Sequence, residues 1–317
     1  RRSWLAAAAA VPHERVVSRG MADLAGLEPA AGPATPAEIM INWIASTIDN
    51  DSVCSVGSVS PLATVAYLLA KRTHAPELVL MTANGGLIDV ADRPMAMILA
   101  ESLDFQTAVL HCGGDDSYRW YYQRGRVTHE VVSAAQIDRR GATNNIEVTS
   151  PSGRRIRLPG QGGMADVANL HRHFMLYLPR HSPLSLVERV DYVSAARGLL
   201  RDDERRRAGY QPGDVHLITN LALFRLDHEL GEFVLETLHP GVTLDHVREQ
   251  TGFSPRVSPT LSETELPSPE TLRLIREAID PLGMRDLEFV AGKERGPLLA
   301  RIIGAEERAI TNLQSHP

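Results

Sequence analysis

The residue types and spacing best suited to chemistry lie in the segment Gly160-Gln161-Gly162-Gly163-Met164-Ala165-Asp166. Adjacent glycines let the backbone approach a ligand closely and take positive φ. Amides at such a place, followed by the helix formers of Met164 to Leu170, suit a phosphate or a developing oxyanion. A tight turn that binds nothing accounts for the glycines equally well. No Lys-Ser/Thr follows, so this is not a Walker A loop. The G-x-G-x-x-G spacing of a dinucleotide site is also absent.

Two further loops are rich in small residues, Gly57 to Pro61 and Asn84-Gly85-Gly86. Ser60 can hydrogen-bond a substrate or cap the helix that Pro61 opens. Asn84 can donate to an oxyanion or serve as a turn residue before glycine. Gln136 and Asp138 stand near a strand end, and His239 is expected to brace the Pro240-Gly241 turn.

The elements that must position these residues alternate along the chain. Ala37 to Asp49 has apolar residues at helical spacing after a Thr35-Pro36 start. Val53 to Val56 reads as a strand, Ser60 to Lys71 as a helix, and Glu77 to Met81 as a strand. Ala108 to His111, His129 to Ile137, Phe174 to Leu178, Val190 to Ser194 and Val215 to Thr219 are expected strands. Leu221 to Arg225 and Glu232 to Leu238 flank Asp227-His228-Glu229-Leu230-Gly231 as a hairpin. Val242 to Gln250 and Ser268 to Ile279 are expected helices. The pattern predicts an α/β fold, an open and mainly parallel sheet with helices on both faces. In such sheets ligands sit where strand ends meet helix N-termini, where all three loops fall.

The chain of 317 residues is long enough for a sizeable core. Its net charge of -6 argues against non-specific nucleic-acid binding, which needs a basic surface. Cys54 and Cys112 are the two cysteines, and neither has metal-type spacing, so no zinc site is expected. Two thiols fit a cytoplasmic protein. No apolar run approaches the ~20 residues of a bilayer span. The opening Arg1-Arg2-Ser3-Trp4-Leu5 and its alanine run end at Pro12, too short for a clear export signal. Residues 1–35 are expected to be a flexible extension.

Several segments, in order, resemble class I CoA-transferases of the B (β) type, the glutaconate CoA-transferase group included. Gly160 to Val167 is similar to the family's G-x-G-G-[small]-x-D-[LIV] loop. Glu38 to Asp49 resembles its first helix, and Ser60-Pro61-Leu62-Ala63 with Leu68 to Pro76 resembles the next. Ala135-Gln136-Ile137-Asp138-Arg139-Arg140-Gly141 followed by Thr143-Asn144 resembles its A-Q-I-D-x-x-G-N-x-N turn. The nearest match is Leu238-His239-Pro240-Gly241-Val242-Thr243 with Val247 to Phe253. Asp280-Pro281-Leu282-Gly283 resembles the usual end. The resemblance spans about residues 36–286. It implies the fold shared with NagB and RpiA, and an α-type partner in a heterodimer or heterotetramer. It also implies an acyl-CoA substrate with coenzyme A as part of it, and no tightly bound cofactor. Gly85, Gly86, Gln136, Gly162, Gly163, Met164 and Asp166 would line the substrate, with Asn84 and Ser60 nearest the chemistry. Residues 287–317 are expected to form an added helix. Arg205-Arg206-Arg207 reads as a solvated run, with the CoA phosphates as an alternative partner.

The resemblance also exposes an omission. These transferases attack the thioester with a glutamate that opens an E-[SN]-G motif. Here the segment reads Met81-Thr82-Ala83-Asn84-Gly85-Gly86, with Ala83 at the expected position and no Glu between Glu77 and Glu101. Relatives of this kind include ring-cleaving hydrolases of steroid catabolism and a glutaconyl-type decarboxylase. The expected function is therefore cleavage of a C–C or thioester bond, or decarboxylation, of an acyl-CoA. Orthodox CoA transfer and a non-catalytic scaffold are the alternatives.

Overall fold

The computed structural model describes residues 32–57, 60–82, 86–98, 100–197 and 201–315. Its helices are α1 (Pro36–Ser46), α2 (Pro61–Arg72), α3 (Ala100–Thr107), α4 (Met164–Leu170), α5 (Asp202–Arg207), α6 (Leu244–Gln250), α7 (Pro269–Arg273) and α8 (Gly292–Ser315). Its strands are β1 (Val53–Val56), β2 (Val79–Thr82), β3 (Leu87–Ile88), β4 (Leu110–His111), β5 (Val131–Ser133), β6 (Gln136–Asp138), β7 (Thr143–Asn144), β8 (Glu147–Thr149), β9 (Arg155–Arg157), β10 (Phe174–Leu178), β11 (Leu186–Val187), β12 (Val215–Thr219), β13 (Ala222–Asp227), β14 (Glu232–Leu238) and β15 (Arg256–Glu263). The expected α/β fold is present. Among the described residues no helix is long and apolar enough to cross a membrane.

The chain forms two compact units. One holds α1, α2, the β2–β3–β4 meander, α3 and the C-terminal helices. Thr35 starts α1 with a capping box: its hydroxyl accepts from Glu38 N–H and Glu38 accepts from Thr35 N–H. Glu38 is fully buried, and Arg276 and Arg285 hold it at 2.8 and 3.1 Å. Asp280 meets Arg285 at 2.9 Å. The helix expected beyond residue 287 is α8, and it belongs to this unit. Its buried Glu306 accepts the N–H groups of Met97 and Ile98 at 2.6 and 2.7 Å.

The other unit, Ser52–Gly57 with Asp115–Leu266, carries the glycine loop. Its six-stranded sheet runs β15-β14-β13-β12-β10-β5. The β5–β10–β12 half is parallel, and β12–β13–β14 is an antiparallel meander. Every residue of β10 is buried, which explains its unbroken apolar run. The expected hairpin is β13–β14, its turn tied by Asp227 Oδ1, which accepts from Glu229 and Leu230 N–H.

Two expected strands are corrected. His129 to Ile137 is not one strand: β5 ends at Ser133, and β6 joins a different sheet, β11-β6-β7. At the break Ala135 N–H donates to Asn144 O and Asn145 Oδ1. Val190 to Ser194 forms no strand. Its N–H groups go to Asp138 Oδ2, Gln136 Oε1 and Thr143 O, so side chains replace most of a ladder.

Candidate functional site

The glycine loop is a shaped entry to α4. Gly160 and Gly162 take φ of +118° and +52°, values that favour glycine. Gly160 N–H donates to Asn145 O at 3.0 Å and anchors the loop. Gly163 occupies the N-cap of α4, and its carbonyl accepts from Asp166 and Val167. The N–H groups of Gly162 and Gly163 donate to no group among the described residues. Met164 is buried beneath the turn, whereas Asp166 is exposed.

Gly163 packs closely against a tyrosine. A Cβ there would collide with the hydroxyl of Tyr118. Tyr118 opens a π-helical stretch, Tyr118–Tyr122, that stacks its ring on Tyr122 at 4.4 Å and 14°. Such π segments recur at functional sites. Burial, then the charges of Glu130 and Asp166, raise the Tyr118 pKa, so its hydroxyl stays protonated. The loop thus combines two open amides with a phenolic hydroxyl beside Gly163, donors of the kind that stabilise an oxyanion.

Behind Tyr118 lies a buried polar cluster that the sequence does not announce. Tyr122 donates to Glu130 Oε2 at 2.8 Å, and its oxygen lies 2.6 Å from Ser55 Oγ. Ser55 reaches the cluster because β1 aligns with His129: Ser55 N–H donates to His129 O at 2.8 Å. Gly57, just past β1, faces Glu130 closely enough that a Cβ would sit 3.4 Å from Oε1. His171, fully buried at the end of α4, has Nδ1 3.7 Å from Glu130 Oε2 and packs edge-on against Tyr122. Burial pushes the Glu130 carboxyl up to about 7 against the pull of the Tyr122 and Ser55 hydroxyls. Burial, and then the charge of Arg197, drives His171 down to about 3, so its ring is neutral. The one visible signal is a glutamate inside the apolar run His129-Glu130-Val131-Val132.

The other expected residues divide. Gln136 is buried on β6, and its Oε1 accepts from Asn144 Nδ2 and Asp191 N–H at 2.8 and 3.1 Å. It braces the segment that anchors Gly160 and presents no free acceptor of its own to a ligand at that oxygen. Asp138 binds the N–H groups of Arg140 and Ala142 in its own turn. His239 is structural, but its ring reaches Thr264 Oγ1 and Thr219 O, outside the Pro240-Gly241 turn, which its backbone carbonyl closes by accepting from Val242 N–H. Arg205 corrects the expectation of a solvated run: it is 1% exposed and donates to the carbonyls of Asn169, His171 and Gln211.

In the other unit Ser60 holds the N-cap position of α2, but its side chain makes no cap bond. Gly86 takes φ +61°, and a Cβ there would strike the carbonyl oxygen of Cys112. Ala83, Asn84 and Gly85 lie outside the described residues.

The coenzyme A transferase family model matches residues 37–250. The chain belongs to the coenzyme A transferase family. It is a B-type chain: the B-type chain of the 3-oxoadipate CoA-transferase of Pseudomonas knackmussii is 28% identical over 75% of this chain and 91% of its own. The IpdB chain of the cholesterol ring-cleaving hydrolase of Mycobacterium bovis is 28% identical over 81% of this chain and 99% of its own. The crystal structure of the decarboxylase AibA/AibB has a chain 32% identical, covering 81% of this chain and 99% of that one, with a TM-score of 0.68. One scaffold therefore carries relatives named for transfer, hydrolysis and decarboxylation.

Proposed function

We propose that this chain is the B-type half of a two-subunit enzyme that acts on an acyl-CoA. It cleaves a C–C or thioester bond, or decarboxylates, and forms no glutamyl-CoA intermediate of its own. The observation that carries this reading is the segment Met81 to Gly86, which has Ala83 in place of a glutamate and no other Glu between Glu77 and Glu101. A methyl group cannot attack a thioester. What the chain keeps is a place to stabilise negative charge: the open amides of Gly162 and Gly163 beside the Tyr118 hydroxyl. Cleavage or decarboxylation next to a thioester drives an electron pair toward the thioester oxygen, and such donors stabilise it. The relatives named for a hydrolase and a decarboxylase support this chemistry. By analogy with their two-part names, an α-type partner completes the enzyme as a heterodimer or heterotetramer. Coenzyme A arrives as part of the substrate, with no tightly bound cofactor.

The test is incubation of the purified two-subunit complex with an acyl-CoA, followed by intact-mass measurement of both chains. Turnover with no added carboxylic acid acceptor, and no CoA adduct on this chain, is expected. A glutamyl-CoA thioester trapped on this chain would sink the proposal. The relative named as a transferase favours a second reading, orthodox CoA transfer with the nucleophile on the partner. That reading requires acceptor-dependent turnover with ping-pong kinetics. A scaffold role predicts instead that Gly162 and Gly163 variants leave the complex fully active.

A further inference from the structure

The unit that carries the glycine loop has a cavity of about 450 Å³, within the range of small-molecule sites. Its wall is cationic: Arg140, Arg197 and Arg201 line it with His228, against one carboxylate, Asp202. Leu226 adds an apolar side. The arginines come from three places, the β6–β7 turn, the segment after Ala195 and the N-cap of α5.

Arg197 is the unusual member. Its Nη1 donates to His171 O at 3.2 Å, but its Nη2 is buried with no hydrogen-bond partner. No carboxylate lies within ion-pair distance of it among the described residues. Asp202 and Asp214 act on it only from farther away. A guanidinium taken from water without a counter-ion is costly, and a bound anion would offset that cost. Arg140 likewise has no ion pair among the described residues, because Asp138 is occupied by backbone N–H groups. The ion pairs of the Arg201 guanidinium are long, 3.8 Å to Asp203 and 3.6 Å to Glu204, whose carboxylate is held at 2.9 Å by the Arg201 backbone N–H.

We infer that this cavity is a binding site for a phosphoryl group, held by Arg140, Arg197 and Arg201. Guanidinium forks match the oxygens of a phosphate two at a time, which Lys would not. The cavity exceeds the needs of one phosphate ion, and Leu226 gives the remainder of a phosphorylated small molecule a surface to lie on. The site does not depend on the proposed reaction. The phosphate has two possible sources: the acyl-CoA itself, or a separate phosphorylated ligand.

Calorimetric titration of the full chain with inorganic phosphate, ADP, CoA and pantetheine tests the site and its source. Saturable binding of the phosphorylated probes is expected, with none for pantetheine. Arg140→Ala should weaken it at least tenfold. Arg197→Gln should do the same, but Arg197 also holds His171 O, so Arg140→Ala keeps the test sound if that variant misfolds. Competition between CoA and ADP assigns the site to the substrate. ADP binding that CoA does not displace assigns it to a separate ligand. The inference is overturned if no phosphorylated probe saturates, or if Arg140→Ala binds as well as the parent. Acyl-CoA turnover without phosphate binding would leave the proposed function standing alone, and the reverse result would leave the site standing alone.

Discussion

Tyr122 donates its phenolic hydrogen to Glu130 across 2.8 Å, deep in the unit that carries the glycine loop. Ser55 stands 2.6 Å from the same phenol oxygen, so a hydroxyl pair leads to a carboxyl that is only 6% exposed. Through the stacked ring of Tyr118 this cluster supports the floor under Gly163. Its protonation state therefore matters to the part of the chain best formed for chemistry.

Glu130 should make the fold less stable as the pH rises. Its folded pKa is about 7 against an ordinary 4.5. The favourable contribution is complete below about 4.5 and is lost as pH rises through 7, because the folded state holds a proton that the unfolded chain has released. A gap of this size corresponds to about 3 kcal/mol. Glu130→Gln keeps the volume and removes the titration. Urea unfolding followed by tryptophan fluorescence at pH 5 and pH 8 should show the variant gaining on the parent between the two values. A constant difference at both would mean that Glu130 does not titrate there.

The buried histidines should act in the opposite sense. His171 falls to about 3, and His173, His181 and His239 to about 4, each chiefly through burial. Their folded values lie below the ordinary 6.5, so the unfolded chain takes up the extra protons. Stability from neutral burial is present above about 6.5 and is lost as pH falls toward 4. In His239 burial wins over an opposing contact: its Nε2 lies 2.7 Å from Thr219 O, an acceptor that favours the charged ring, yet desolvation still holds the ring neutral. Circular dichroism during acid titration should show cooperative loss of structure beginning below pH 6. His181→Gln should shift that midpoint downward by a few tenths of a pH unit or more, in the range of one removed titration. An unmoved midpoint would count against the account.

Much of the scaffold was readable because the signals were local. The five-residue apolar run of β10, the Asp227 to Gly231 turn and the paired glycines each state their conformation within a few residues. The break at Ala134-Ala135 was hidden, since its backbone partners are Asn144 and Asn145 on a later turn. Arg205 looked like its neighbours Arg206 and Arg207, and only the distant carbonyls of Asn169 and His171 bury it. The cluster at Glu130 was the least legible. Ser55 and His171 are far in sequence from Tyr122 and Glu130, and they join them through the alignment of β1 with His129 and the packing of α4. Ala83 and Asn84, the positions on which the missing nucleophile turns, lie outside the described residues.

Gly86→Ala should be strongly destabilising. The residue has φ +61°, and its added methyl would meet the carbonyl oxygen of Cys112, a backbone atom that cannot swing aside. Gly86 O also accepts the Cys112 N–H at 2.9 Å, so the two segments cannot separate without losing that bond. Strain in the left-handed region costs about 1 kcal/mol or more, and the clash adds about 1–3 kcal/mol. Thermal unfolding of the variant should fall by several degrees. A melting temperature within a degree of the parent would show that the turn relaxes.

Gly163→Ala offers a sharper test, because its obstacle is removable. The new methyl would meet only the oxygen of Tyr118, with the ring carbon behind it at 3.6 Å. Gly163 itself has ordinary negative φ, -82°, so backbone strain adds nothing. The single variant should lose about 1–3 kcal/mol from overpacking. Tyr118→Phe deletes the obstructing oxygen, and the double variant should recover most of that loss, a coupling visible in a double-mutant cycle. Activity should separate from stability. If the Tyr118 hydroxyl and the loop amides stabilise charge on a bound thioester, Tyr118→Phe lowers kcat of the assembled enzyme by tenfold or more while leaving KM nearly unchanged. A double variant that regains both stability and full kcat would reduce the hydroxyl to a packing role.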